Sequence, residues 1–258
     1  GAAYDYCVQS LGCTAAEASK TEGKLFLRNA ERLTRAQIDC VCVWLQSSLD
    51  LSDAQLKKVV MRFPQVLGCS VEDSMAPKLD WLQRRLDLDD AGLRKIVLTL
   101  PQLLGYSVEE NLEPKLHWLQ TRLDLDDEQL RKVVGCLSVL STSIDILESK
   151  LDWLQSRLDV DDVELKKVVL TFPALLCLSV EDNLAPTLEW LQTRLELDAA
   201  QLGKMVLRLP ALLSYSVEAN MEPKFEWLQK RLYLNNGEQL RKVARNVSVL
   251  RTSIDTLE

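Results

Sequence analysis

The sequence repeats itself with a period close to 37 residues, and the tryptophans mark that period. Successive tryptophans are separated by 37, 37, 35, 37 and 37 residues. In chain order they are Trp44, Trp81, Trp118, Trp153, Trp190 and Trp227. A period of about 20–50 residues is typical of a solenoid, in which each repeat buries its apolar faces against its neighbours. The sequence therefore predicts a single array of about six stacked repeats.

Each repeat reads as two helices joined by a short turn. The first helix of one repeat carries apolar residues spaced i, i+3, i+4 and i+7, which are Leu56, Val59, Val60 and Phe63. That spacing places them on one helix face. Asp53 and its equivalents stand at the helix start, where a carboxylate suits the free amides and the positive end of the helix dipole. The pattern predicts an amphipathic helix that is followed by a turn.

Two prolines divide the repeat further. Pro64 ends the first helix, because it has no N–H to donate and restricts the residue before it. The following "PQVLG" predicts one turn of 3₁₀ helix. Ser70 opens the second helix with the spacing of a capping box, and its buried stripe is Met75, Leu79, Leu82 and Leu86. Pro77 falls inside this segment, where it either kinks one helix or begins a new one.

A longer period lies above the 37-residue repeat. Pro64 and Pro101 are followed by Ser138 at the matching place, and about 110 residues later Pro173 and Pro210 are followed by Ser248. This order indicates duplication of a block of three repeats. The serine repeats also lack the second proline, and we expect straighter second helices in them.

The predicted organisation has an irregular cap over residues 1–36 and a single array over residues 37–258. We place the repeats near 51–87, 88–124, 125–159, 160–196 and 197–234, with a partial repeat at 235–258. Acidic linkers should separate them. The final stretch matches an earlier copy that runs on through "SKLDWLQSRL". We therefore expect that the natural protein continues beyond Glu258 or that a partner covers this end.

Three stretches carry a resemblance to a known family. They are "LPQLLGYSVEENLEPKLHWL" at 100–119, "FPALLCLSVEDNLAPTLEWL" at 172–191 and "LPALLSYSVEANMEPKFEWL" at 209–228. The pattern resembles the repeat of the mitochondrial transcription termination factor (mTERF) family over about residues 44–258. This resemblance implies an all-α fold, a right- or left-handed superhelical solenoid of helix–turn–helix repeats. It also implies a protein of the mitochondrion or chloroplast that binds double-stranded DNA or structured RNA.

The overall charge and composition restrict the function classes. The net charge is -7, from 31 basic and 38 acidic residues, so the chain has no overall attraction to nucleic acid or to an anionic membrane. No apolar run is long enough for a membrane span. A glycine-rich phosphate loop, a nucleophile elbow and a metal-ligand cluster are all missing from the sequence. We expect neither an enzyme nor a metal site nor a cofactor.

The seven cysteines are odd in number and fall mostly on apolar stretches. This distribution favours buried thiols that pack as small hydrophobic groups. A disulfide between Cys7 and Cys13 is the alternative that the spacing leaves open.

Two sets of basic residues recur at fixed places in the repeats. The first set lies on the first helices and comprises Lys57, Lys58, Arg94, Lys95, Arg131, Lys132, Lys166, Lys167, Lys204, Arg241 and Lys242. The second lies near the ends of the second helices and comprises Arg85, Arg122, Arg157, Arg194 and Arg231. Such ladders could follow a phosphate backbone. Alternatively, they are solvated or pair with the acidic linkers, where each surface pair would contribute about 0–1 kcal/mol.

Two functions of different classes follow. The first is a nucleic-acid-binding protein of organelle gene expression, as the resemblance implies. The second is an acidic helical scaffold, a protein-binding subunit of a large organellar assembly such as a ribosome or a photosynthetic complex. We expect the tryptophans to pack between repeats, and base stacking on them is the alternative.

Overall fold

A computed structural model describes residues 1–26, 33–234 and 237–244 of the chain. It has two compact halves, Gly1–His117 and Trp118–Glu258, and each is treated by itself below. All regular structure in the described ranges is helical, which confirms the predicted all-α class. The predicted C-terminal end at Ser248–Glu258 lies outside the described residues.

Helices follow one another through the whole described part of the chain. In order they are α1 (Ala2–Gln9), α2 (Ala15–Phe26), α3 (Arg35–Leu49), α4 (Asp53–Arg62), α5 (Ala76–Leu86), α6 (Asp90–Thr99), α7 (Glu113–Leu123), α8 (Asp127–Val134), α9 (Ile144–Leu158), α10 (Asp162–Thr171), α11 (Ala185–Leu195), α12 (Ala199–Arg208), α13 (Glu222–Leu232) and α14 (Gly237–Ala244). The division between the halves falls within α7. Residues 1–36, predicted as an irregular cap, contain α1 and α2.

Short 3₁₀ turns follow the first helix of the repeats, as predicted. They span Pro64–Gly68, Pro101–Gly105, Leu137–Ser141, Pro173–Cys177 and Pro210–Ser214. The apolar residues of these turns are buried, for example Val66 and Leu67. Each turn therefore anchors its repeat in the core.

The second proline sits in a helix that continues through a wider turn. A π-helical segment spans Val71–Met75 immediately before α5, and the Met75 amide donates to the Ser70 carbonyl five residues back at 3.0 Å. Pro77 then stands in the first turn of α5. The extra residue in the turn relieves the clash between the proline ring and the preceding turn. The proline thus neither simply kinks the helix nor begins a separate one.

The serine repeat behaves differently, because it lacks this proline. Its second helix, α9, is one continuous α-helix of 15 residues. Ser143 caps it by accepting a hydrogen bond from the Ile146 amide at 3.3 Å. The continuous helix agrees with the expectation of a straighter element.

Two capping serines of the proline repeats, Ser107 and Ser179, use a different reciprocal partner from the one predicted. Ser179 Oγ accepts from the Asp182 amide at 3.0 Å, as in a capping box. The Ser179 amide, however, donates to Asn183 Oδ1 at 3.2 Å. The reciprocal acceptor is displaced by one residue because the turn that follows is π-helical.

Every joint between repeats contains a residue with left-handed backbone. These residues follow the second helix, with φ between 48° and 52°, and are Asp50, Asp87, Asp124, Asp159, Glu196 and Tyr233. A left-handed residue after a helix ends it and lets the chain reverse direction. The chain then enters the next first helix within three or four residues.

Three cysteines are buried in the core and two form a cross-link. Cys7, Cys13 and Cys42 are buried free thiols, so the alternative Cys7–Cys13 disulfide is not formed. Burial raises the pKa of Cys42 to about 11, which keeps this thiol protonated at neutral pH. Cys136 and Cys177 form a disulfide in the C-terminal half.

Candidate nucleic-acid interface

The first helix of each repeat carries two consecutive positions that are usually basic. We call them the inner and the outer position. The inner position holds Lys57, Arg94, Arg131, Lys166, Gly203 and Arg241, and the outer position holds Lys58, Lys95, Lys132, Lys167, Lys204 and Lys242. Consecutive residues on a helix point about 100° apart, because one turn takes about 3.6 residues. The two positions therefore meet different surroundings.

Inner side chains contact the joint that ends an earlier helix. Arg94 donates from Nε to the Leu49 carbonyl at 2.7 Å, and its Nη2 lies 2.9 Å from Asp50 Oδ2. Lys166 donates in the same way to the Asp124 carbonyl and lies 3.3 Å from Asp124 Oδ2. A cation suits the last carbonyls of a helix. These charges serve to hold one repeat against another.

The other cations at the inner position have different contacts in each repeat. Lys57 donates to the Gly12 carbonyl at 3.1 Å and pairs with Glu17 at 3.2 Å. Arg131 is half-buried. Arg241 lies on α14, but its side chain is outside the part of the chain that the structure describes.

Gly203 is the exception at the inner position. A Cβ on Gly203 would lie 2.1 Å from the Leu158 carbonyl oxygen. Helix α12 thus rests directly on the end of α9, at the place where other repeats insert a cation. Only glycine allows this approach.

Outer side chains point away from the joints and are exposed. They are Lys58 and Lys95 in the N-terminal half, and Lys132, Lys167, Lys204 and Lys242 in the C-terminal half. For the first five, the structure shows no ion pair or hydrogen bond of the ammonium group to any described residue. The outer position therefore provides one solvated cation on each of these five first helices. Within each half the successive first helices contact one another, and packed helices lie about 10 Å apart.

The second basic ladder is largely used within the protein. Arg122 lies 2.8 Å from Glu148, 2.9 Å from Asp152 and 3.5 Å from Asp162. Burial alone would lower the pKa of Arg122, but hydrogen bonds to Asp152 and Glu148 raise it. Three carboxylates around one guanidinium more than balance its charge, so Arg122 is poorly placed to attract a phosphate.

The equivalent arginines follow the same pattern. Arg85 pairs with Glu113 at 3.6 Å, and Arg194 pairs with Glu222 at 3.4 Å. Arg157 has no carboxylate there, because Ala185 occupies the matching place, and it contacts Gln192 instead at 2.5 Å. The fifth member of the ladder, Arg231, is exposed.

The tryptophans are half-buried rather than fully buried, and two of them bind the same glutamates. Trp118 Nε1 donates to Glu148 at 2.7 Å, and Trp190 Nε1 donates to Glu222 at 2.6 Å. Trp190 also meets Phe225 edge-on, with ring centroids 5.2 Å apart. A tryptophan and an arginine four residues later thus hold one glutamate of the next repeat. This contact supports packing between repeats over base stacking.

Sequence reasoning missed a set of buried lysines on the second helices. They are Lys78, Lys115, Lys150 and Lys224. Lys150 donates to the Leu176 and Leu178 carbonyls at 2.7 and 2.6 Å, and Lys78 donates to the Leu104 carbonyl. Burial lowers the pKa of these lysines. Their spacing could have revealed them, because Lys78 lies four residues before Leu82 and therefore on the same buried helix face.

Over the described ranges, no group of three or more His, Cys, Asp or Glu side chains could hold a metal ion. Within the same ranges, none of the helices is both long enough and apolar enough to cross a membrane.

The stacked helix–turn–helix repeats define an all-α helical-repeat protein that presents cations at regular intervals. The model of the mTERF family matches residues 30–194 and 156–256. The chain therefore belongs to the mTERF family, whose members are helical-repeat solenoid proteins that bind nucleic acids, are generally organellar and are generally not enzymes. No curated protein sequence matches the chain.

Proposed function

We propose that this protein binds nucleic acid, either double-stranded DNA or structured RNA, through the outer lysines, and that it acts in gene expression in the mitochondrion or chloroplast. The supporting observation is the solvated cation at the outer position of five repeats: Lys58, Lys95, Lys132, Lys167 and Lys204. The described inner cations and most of the second ladder interact within the protein. Among the recurring basic residues of the repeats, the outer lysines are therefore the best placed to meet phosphates.

The binding should be electrostatic and tolerant of sequence. Lysine contacts to phosphates release counterions, so that the affinity falls as salt rises. Five such contacts would give a slope of log K against log salt of about -4 to -5 on duplex DNA. Between ~50 and ~200 mM salt this slope corresponds to a loss of affinity of about 10²- to 10³-fold.

A salt titration with charge-matched variants tests the proposal. Replacing Lys132, Lys167 and Lys204 by glutamine should reduce the steepness of the slope by about 3. The control replaces three other exposed lysines, Lys20, Lys24 and Lys230, and changes the net charge equally. Fluorescence polarisation with a labelled duplex and a labelled RNA hairpin gives both slopes. Equal slopes for the two triple variants would contradict a role for the outer lysines.

The acidic scaffold is the second candidate. It is supported by the net charge of -7 and by exposed apolar side chains in the C-terminal half, where Val163 is 73% and Ile146 is 57% exposed. Absence of binding to either probe at ~50 mM salt would favour a protein partner over nucleic acid.

A further inference from the structure

The C-terminal half contains a covalent link between two successive repeats. Cys136 lies directly before the 3₁₀ turn Leu137–Ser141, and Cys177 is the last residue of the next such turn. Their sulfur atoms are bonded across 41 residues of sequence. Both side chains are partly accessible to solvent, so small thiols and disulfides can reach them.

Both cysteines replace other residue types at their positions in the repeat, and these two positions are in contact with each other. Directly before the 3₁₀ turn, the other described repeats have Phe63, Leu100, Phe172 and Leu209 in place of Cys136. At the end of the 3₁₀ turn they have Gly68, Gly105, Ser141 and Ser214 in place of Cys177. A sequence that otherwise copies itself closely has thus changed both members of one contacting pair. Coincident change at both positions points to a pair rather than to two separate thiols.

The link joins the elements that carry two of the outer lysines. Cys136 follows Lys132 by four residues, just beyond the end of α8. Cys177 ends the turn that follows α10, the helix of Lys167. The bond therefore restrains the end of α8 against the neighbouring repeat and limits how far Lys132 and Lys167 can move apart.

We propose that Cys136 and Cys177 form a reversible, redox-controlled cross-link that stiffens two repeats and tunes their grip on nucleic acid. Oxidation uses a small-molecule disulfide such as oxidised glutathione. One cysteine thiolate attacks this disulfide and releases one thiol, and the second thiolate then attacks the mixed disulfide and releases the other. The protein loses two electrons and two protons, and the small disulfide becomes two thiols.

The cross-link should raise stability by restricting the unfolded chain. For a loop of about 41 residues, the loop-closure relation predicts an increase in melting temperature of about 8 to 16 °C for a chain of this size. The oxidised form should also bind nucleic acid severalfold more tightly, because the lysine spacing is organised before binding. This second consequence rests on the proposed function, whereas the first does not.

The test compares protein equilibrated in oxidised and in reduced glutathione. The titratable thiols should fall from seven to five, and mass spectrometry of a digest should find the peptides of Cys136 and Cys177 joined. The melting temperature should rise on oxidation in the wild type and in the Cys40→Ser control, since Cys40 is an exposed free cysteine. It should not respond in Cys136→Ser or Cys177→Ser. The main comparison uses the wild-type protein in both buffers, so it does not depend on whether the variants fold.

Several results would overturn the cross-link. These are a thiol count of seven in oxidised glutathione, a different pair of joined peptides, or equal melting temperatures in the two buffers. Binding of a labelled duplex is measured in the same samples, and equal affinities would overturn the tuning of nucleic-acid binding. Absence of binding in both buffers would instead refute the proposed function, while the thiol count and melting temperatures would still decide the cross-link.

Discussion

Replacing Gly203 by the residue that its repeat position normally carries should destabilise the protein. A Cβ at Gly203 would lie 2.1 Å from the Leu158 carbonyl oxygen and 3.3 Å from a Val160 methyl group. An ordinary carbon–oxygen contact is about 3.3 Å or longer, so that α12 and the end of α9 must separate by about 1 Å. The obstacle is backbone, which cannot rotate aside as a side chain does.

The expected magnitude follows from two opposing effects. Overpacking costs about 1–3 kcal/mol, and a clash with backbone should lie in the upper part of that range, at about 2–3 kcal/mol, whereas alanine favours a helix over glycine by about 1 kcal/mol. We therefore expect Gly203→Ala to lower the free energy of unfolding by about 1–2 kcal/mol, or the melting temperature by about 2–8 °C. Gly203→Lys should be more harmful, although it restores the pattern of the other repeats.

The matched control is Gly23→Ala in α2. A Cβ there meets nothing within 4 Å, so alanine should stabilise the protein by about 0.5–1 kcal/mol. Thermal unfolding followed by circular dichroism measures both variants under the same conditions. A gain in stability for Gly203→Ala equal to that of Gly23→Ala would show that the close approach of α12 and α9 does not exist.

Two further substitutions test the contacts between repeats. Glu148→Ala removes the acceptor shared by Trp118 and Arg122 and should cost about 1–3 kcal/mol in chemical denaturation, whereas a cost within ~0.3 kcal/mol would mean that the contact is not formed. Lys150→Met leaves the Leu176 carbonyl without its donor and should also cost about 1–3 kcal/mol at pH 7. Because burial lowers the pKa of Lys150 below the value of the unfolded chain, the unfolded state binds more protons at pH values just below 10.5, and wild-type stability should rise with pH there. That rise should be smaller in Lys150→Met, and an equal rise would contradict the buried ammonium.

The helices and turns could be predicted because their signals are local. The apolar spacing of Leu56, Val59 and Val60 and the position of Pro64 act within one or two helical turns, and the structure places a helix and a 3₁₀ turn there. The π-helical turn before Pro77 was not predicted. It reflects a compromise between a proline and a helix that packing keeps continuous, and both helix types share the same apolar pattern.

The different fates of neighbouring cations could not be predicted from sequence. Arg94 and Lys95 are adjacent and chemically similar, yet Arg94 contacts Leu49 and Asp50, about 45 residues away. This distinction depends on how the repeats stack, and the sequence of a single repeat does not contain that information. A partial signal was available, because glycine replaces the inner cation at residue 203 while Lys204 is retained.

The acidic residues at the joints have a mechanical consequence. Five of the six left-handed joint residues are aspartate or glutamate, where glycine would adopt the same backbone without steric cost. A residue with a Cβ has fewer other conformations open to it, so each such joint acts as a stiff hinge and not as a swivel. In a linear array of repeats, the angular variation at each joint adds to the variation at the next joint. Stiff hinges therefore keep side chains on successive repeats of one half at a constant pitch, including cations that contact a ligand with its own regular spacing.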